Sequence, residues 1–142
     1  MTATQLTDLA KEAMDRAYAP YSGCRVGAAL LAADGRVYQG CNVENASFSP
    51  TVCAERMAFM KAIYDGVREF SAIAVAGGKD GVITGLFPPC GVCRQVMREF
   101  CPDDFMIYLA GPDGEIRERT MAELLPDSFS AADMLPPENV EI

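Results

Sequence analysis

Residues 70–76, Phe-Ser-Ala-Ile-Ala-Val-Ala, decide the fold. The run is short, almost wholly apolar and rich in residues that favour extended backbone, so it reads as a buried strand. Gly77 to Pro89 reads as a loop, Cys90 to Phe100 as a short helix introduced by Pro88-Pro89, and residues 105–110 as another strand. A strand–helix–strand unit closes as a right-handed crossover, which makes 70–76 and 105–110 parallel neighbours.

Upstream, residues 4–18 place Leu6, Leu9, Ala10, Ala13, Met14 and Ala17 on one face of a helix, which Ala19-Pro20-Tyr21-Ser22-Gly23 ends. Residues 25–33 and 36–41 read as two strands joined at Asp34-Gly35, a strong hairpin signal. Asn42 to Pro50 is a polar, turn-rich loop. A helix follows from about Thr51 to Tyr64, with Gly66 as its stop. Downstream, Pro112-Asp113-Gly114 turns the chain into a strand at 115–120, and a short helix near 121–125 precedes a tail without clear pattern. The tight turns make the first and last strand pairs antiparallel. The expectation is an α/β fold with three α/β/α layers around a mixed five-stranded sheet. No linker or repeat interrupts the chain, so 1–142 reads as one domain.

Composition narrows the chemistry. Half of the residues are hydrophobic, which is enough for a sizeable core. No apolar run reaches the roughly 18 residues of a membrane span. The N-terminus lacks the basic-then-apolar pattern of a signal peptide, so the expected location is cytoplasmic. Acidic residues outnumber basic ones 20 to 12, for a net charge of −8. A protein that grips a phosphate backbone normally presents a basic face, so a small molecule is the expected partner rather than nucleic acid. The chain has six cysteines and no histidine. Any metal chemistry must therefore use thiolates and a carboxylate.

Two cysteine groups stand out, Cys53-Ala54-Glu55-Arg56 and Pro89-Cys90-Gly91-Val92-Cys93, each opening an expected helix. If the helix N-termini converge, three thiolates would hold zinc in a tetrahedral site with one position open to water, as in catalytic sites. Three thiolates and Zn²⁺ sum to −1, which weakens the pull on that water. Helix N-termini and a full charge on Arg56 would offset this. Glu55, beside such a site, suits proton transfer rather than ligation. The Cys-x-x-Cys pair alone is equally compatible with a redox pair, with half of a structural zinc site closed by Cys24, Cys41 or Cys101, or with coincidence. Taken together, Cys-Ala-Glu and Pro-Cys-x-x-Cys reproduce the zinc deaminase signature, with cysteine where many members have histidine.

The sequence resembles the small cytidine deaminase family from about Tyr18 to Phe129. The likeness is carried by Tyr21-Ser22 with Val26-Gly27-Ala28-Ala29, by Asn42-Val43-Glu44-Asn45-Ala46-Ser47, by the two cysteine groups with Arg94-Gln95, and by Leu124-Leu125-Pro126. The resemblance implies zinc on Cys53, Cys90 and Cys93, with hydrolytic deamination of cytidine and 2′-deoxycytidine in pyrimidine salvage. Glu55 would carry protons to ring N3 and to the leaving ammonia. Asn42 and Glu44 would bind the ribose, and the main-chain N–H of Ala54 the base carbonyl. Arg56 would hydrogen-bond the thiolates. The resemblance further implies a homotetramer in which Phe129 enters a neighbour's site.

Two departures stand out. The family usually has Phe where this chain has Cys24, on the wall beside the base, which opens a gap there. Phe48 stands where many members have Tyr. Relatives acting on nucleic-acid bases fit poorly with the net acidity and with the tight Pro112-Asp113-Gly114 turn. Relatives acting on aminopyrimidine antibiotics have no use for Asn42 and Glu44 as a sugar-binding pair. A non-catalytic zinc protein that binds nucleosides would leave Glu55 without a role.

Overall fold

In the computed structural model, which describes residues 1–139, strand β3 (Phe70–Lys79) is the centre of a five-stranded sheet. Val140, Glu141 and Ile142, the end of the expected 1–142 domain, lie outside the described residues. On one side of β3 runs β1 (Cys24–Ala32), antiparallel to it and to β2 (Val37–Cys41) at the sheet edge. On the other side β4 (Met106–Ala110) is parallel to β3, and β5 (Ile116–Thr120) is antiparallel to β4. The strand order is therefore β2-β1-β3-β4-β5, the mixed sheet expected from the sequence.

Successive side chains of a strand point to opposite faces. Along β3, Ile73 and Val75 join Leu30, Ile107 and Leu109 on one face, while Ala72, Ala74 and Ala76 join Ala29 and Ala110 on the other. Helix α1 (Ala3–Met14) lays Leu6, Ala10 and Met14 on the alanine-rich face. Helices α2 (Ala54–Tyr64) and α3 (Gly91–Phe100) cover the bulkier face with Ala58, Phe59, Ala62 and Met97. These are the three expected layers. Phe59 is fully buried, with the rings of Phe70, Phe100 and Phe105 at centroid distances of 5.2, 5.9 and 6.3 Å. Truncating such a residue to Ala costs about 3–5 kcal/mol.

Gly40 sets the height of α2 above the sheet. A Cβ there would overlap the Ala54 carbonyl oxygen and lie 2.8 Å from the Ala58 nitrogen. The first turn of α2 thus rests directly on β2, and any side chain at Gly40 would lift it.

Three boundaries differ from the sequence reading by three residues or more. The first helix ends at Met14 rather than 18, because Arg25 of β1 caps it, donating from Nε to the Met14 carbonyl and from Nη2 to the Asp15 carbonyl. The helix expected from Thr51 starts at Ala54, because Val52 pairs with Val43 and keeps the preceding backbone extended. Gly77 does not begin a loop. β3 continues through Gly77, Gly78 and Lys79, paired with Val26, Arg25 and Cys24.

Candidate active site

Both helices on the bulky face begin from a cysteine. Cys53 is the N-cap of α2 and Cys90 the N-cap of α3, with Cys93 in the first turn of α3. The three sulfurs lie within 4.8 Å of one another and form, among the described residues, the one group of metal-ligating side chains. Cys24, Cys41 and Cys101 stay outside it. A tetrahedral ion with zinc–sulfur bonds of about 2.3 Å separates its sulfurs by roughly 3.8 Å, so small side-chain adjustments suffice.

The surroundings suit a cation held by thiolates. The Cys93 backbone N–H donates to Cys90 Sγ at 3.5 Å, and both helix N-termini direct partial positive charge at the sulfurs. Arg56 donates from Nη2 to Cys53 Sγ at 3.3 Å and to the Thr51 carbonyl at 3.1 Å, while its Nε is buried without a partner among the described residues. The Cys93 thiol and Arg56 push the Cys53 thiol down. Cys93 is pushed up, by the proton it shares with Cys53, by burial and by the negative charges of Glu55 and Cys53. Such a cluster accepts a first negative charge readily and later ones only with a cation among them. Three soft donors with this electrostatic demand fit zinc.

Glu55, two residues after Cys53, is 4% exposed. Burial pushes its carboxyl up to about 7, with the charge on Cys53 adding to the effect. Cys53, Ala54, Glu55 and Cys90 line one wall of a cleft of about 230 Å³. That is below the roughly 300 Å³ at which drug-sized pockets begin, which suits one small molecule.

Further lining of the same cleft comes from the first hairpin and the loop after it. Asn42 is 8% exposed, and its amide is stitched to β1: Oδ1 accepts the Val26 N–H at 2.8 Å, and Nδ2 donates to the Cys24 carbonyl at 2.8 Å. Among the described residues, one lone pair on Oδ1 and one hydrogen on Nδ2 have no partner and are open to a ligand. Glu44 is held as firmly. Its Oε1 accepts the N–H groups of Tyr21 and Ser22 at 2.9 and 3.1 Å, and its Oε2 accepts the Ser22 hydroxyl at 2.5 Å. These bonds, the Ser22 hydroxyl first, hold its carboxyl below the ordinary value of 4.5.

The structure thus gathers Cys53, Ala54, Glu55, Cys90, Asn42, Glu44 and Cys24 around one cleft, with Cys93 and Arg56 behind its sulfurs. Phe129 is elsewhere. It is 61% exposed, outside this chain's own cleft, and its carbonyl accepts from Gln95 Nε2 at 2.9 Å. Thr51, Phe87 and Pro88 also line the cleft and were given no role from sequence. The signal for Phe87 was faint: one aromatic in a Gly/Pro-rich loop, three residues before Cys90.

Residues 1–109 match the family model of the cytidine and deoxycytidylate deaminase zinc-binding region. A cytidine deaminase of Sporosarcina psychrophila is 49% identical over 134 residues, covering 94% of this chain and 96% of that protein. One from Mycobacterium tuberculosis is 40% identical over 125 residues, 88% of this chain and 87% of that protein. The crystal structure of cytidine deaminase from Burkholderia pseudomallei superposes with a TM-score of 0.84 at 46% identity, covering 91% of this chain and 100% of that one. The sulfur cluster, the fold around it and these likenesses agree: the chain belongs to the cytidine deaminase family.

Proposed function

We propose that this protein hydrolyses the 4-amino group of the free nucleosides cytidine and 2′-deoxycytidine, giving uridine or 2′-deoxyuridine and ammonia, in cytoplasmic pyrimidine salvage. The observation that carries this reading is the division of one small cleft. Two cysteines of the three-sulfur cluster, Cys53 and Cys90, line it with the buried carboxyl of Glu55, and so do two fixed hydrogen-bonding side chains, Asn42 and Glu44. That arrangement suits a ligand with a reactive ring at one end and a sugar at the other. The net charge of −8 supports a nucleoside over a polynucleotide.

The proton inventory of the reaction defines the work of Glu55. Water brings one oxygen and two hydrogens; the oxygen goes to C4, one proton to ring N3 and one to the departing amino nitrogen. Zinc held by Cys53, Cys90 and Cys93 supplies, when bound, an acidified water as the nucleophile. Glu55, lining the cleft next to these sulfurs, holds each proton in turn and hands it to N3 and then to the amino group. The free amide valences of Asn42 and the carboxylate of Glu44 take the sugar hydroxyls, and the Ala54 N–H takes the base carbonyl. Arg56 tempers the thiolate charge, and Cys24 forms part of the wall beside the base.

The direct test loads the protein with zinc and follows cytidine by its absorbance change and by ammonia release. Conversion to uridine is expected, and its absence overturns the assignment.

The same reading includes a homotetramer in which Phe129 completes a neighbour's cleft. Exposed apolar side chains support it: Phe129, Met60, Tyr64 and Val92, together with an apolar groove of about 650 Å³ between Tyr38, Met57 and Tyr64. Sedimentation showing an active monomer overturns both statements.

A further inference from the structure

Phe87 is the one aromatic side chain lining the cleft among the described residues. We propose that its ring is the surface against which the nucleobase lies, making Phe87 a substrate-binding residue. The proposal rests on the reading of the substrate as a cytosine nucleoside.

The polar groups of the cleft lie where the sugar and the amino group of such a ligand would go, at Asn42 and Glu44 on one wall and beside the sulfurs on the other. The faces of a pyrimidine ring carry no hydrogen-bonding groups and need apolar contact, best given by another ring. Val26, Cys24 and Ala54 offer little flat area. Phe87 offers the most.

The ring is also seated to serve. A Cβ on Gly77 would lie 2.8 and 2.9 Å from Phe87 Cγ and Cδ1, and 3.1 Å from Val26 Cγ2. The Phe87 ring therefore rests directly on the β3 backbone at Gly77, where that strand pairs with Val26 of β1. It packs against the core under α2 and α3 while still lining the cleft. Pro88 and Pro89 fix the backbone between this ring and Cys90. Only these two prolines separate the ring's residue from the Cys90 sulfur's. Cys24 stands two residues before Val26 on the same strand and lines the same cleft, so its small side chain leaves room beside the ring.

The test compares Phe87→Ala and Phe87→Leu with wild type in the zinc-loaded protein. Phe87→Ala should raise KM for cytidine about tenfold, with kcat changed less than about threefold. Calorimetric binding of uridine, which needs no chemistry, should weaken by the same factor. Zinc should stay at wild-type content in both variants. Phe87→Leu keeps most of the bulk and guards against a folding defect in the Ala variant; it should still lose affinity, because a flat surface is gone. Unchanged KM and uridine affinity in folded, zinc-loaded variants overturns the proposal. So does a fall in kcat that tracks zinc loss, which would make Phe87 a support for the cysteine loop only. Wild-type protein that neither deaminates cytidine nor binds uridine overturns the functional reading and this inference together. An active wild type with indifferent Phe87 variants overturns this inference alone.

Discussion

The helix wall of the cleft takes Cys53, Ala54, Glu55 and Cys90 from the first turns of two helices, whereas the strand wall takes Cys24, Val26, Asn42 and Glu44 from segments held together by strand register and by long-range bonds of the Asn42 and Glu44 side chains. On the helix wall, geometry is local. An N-cap cysteine has its backbone fixed by the helix it starts, and residues two or three positions on follow at set angles. On the strand wall, nothing local brings Asn42 to Val26; the register of β1 on β2 does. The two walls should therefore fail differently, one by losing chemistry and the other by losing binding and stability.

The largest expected effect is on the helix wall. Cys93→Ala leaves two sulfurs, too few to keep the metal, so metal analysis should find well under one zinc per chain and activity should fall to background. Full zinc with full activity would remove the sulfur cluster from the chemistry. Glu55→Gln should keep zinc and fold while turnover falls at least about 10²–10⁴-fold. Near-normal turnover would mean another group moves the protons.

The strand wall should give the opposite pattern. Asn42→Ala leaves the Val26 N–H and the Cys24 carbonyl without their side-chain partner. Unfolding in denaturant should show a loss of about 1–3 kcal/mol, with KM raised and zinc content unchanged. A variant as stable as wild type would show that the amide does not hold β1. The smallest effect belongs to Ser22→Ala. The Glu44 carboxyl is held below 4.5, so its bonds to residues 21 and 22 stabilise the fold above that value and are lost as pH falls through the lowered one. Removing the Ser22 hydroxyl takes away the main cause of the lowering. KM should rise about threefold at neutral pH, and its acid rise should begin at higher pH than in wild type. KM profiles that superimpose would show that Ser22 does not position Glu44.

This contrast also explains what the sequence disclosed. The sheet was legible because hairpin signals and one crossover leave few arrangements. The end of α1 was not, because its cap is a side chain from β1, Arg25, ten or so residues away. Nor was the length of β3, since Gly77-Gly78 reads as a loop until β1 is set beside it. The sulfurs and Glu55 could be read from spacing, as helix starts impose it. That Asn42 and Glu44 line the same cleft was legible only through family resemblance, as their neighbours come from register. Phe87 left only a faint signal, because its seat is a glycine of β3, ten residues earlier and read from sequence as loop.

Gly40 is not among the residues lining the cleft, yet the turn of α2 that carries Ala54 rests on it, one residue after the Cys53 sulfur. A methyl group there would tilt the helix start and drag one ligand away from the other two. In a mutational scan scored by turnover alone, Gly40 would rank beside the cysteines and be mistaken for part of the reaction. Scoring zinc content with and without added metal would unmask it, because excess zinc can rescue a misplaced ligand but not a missing one.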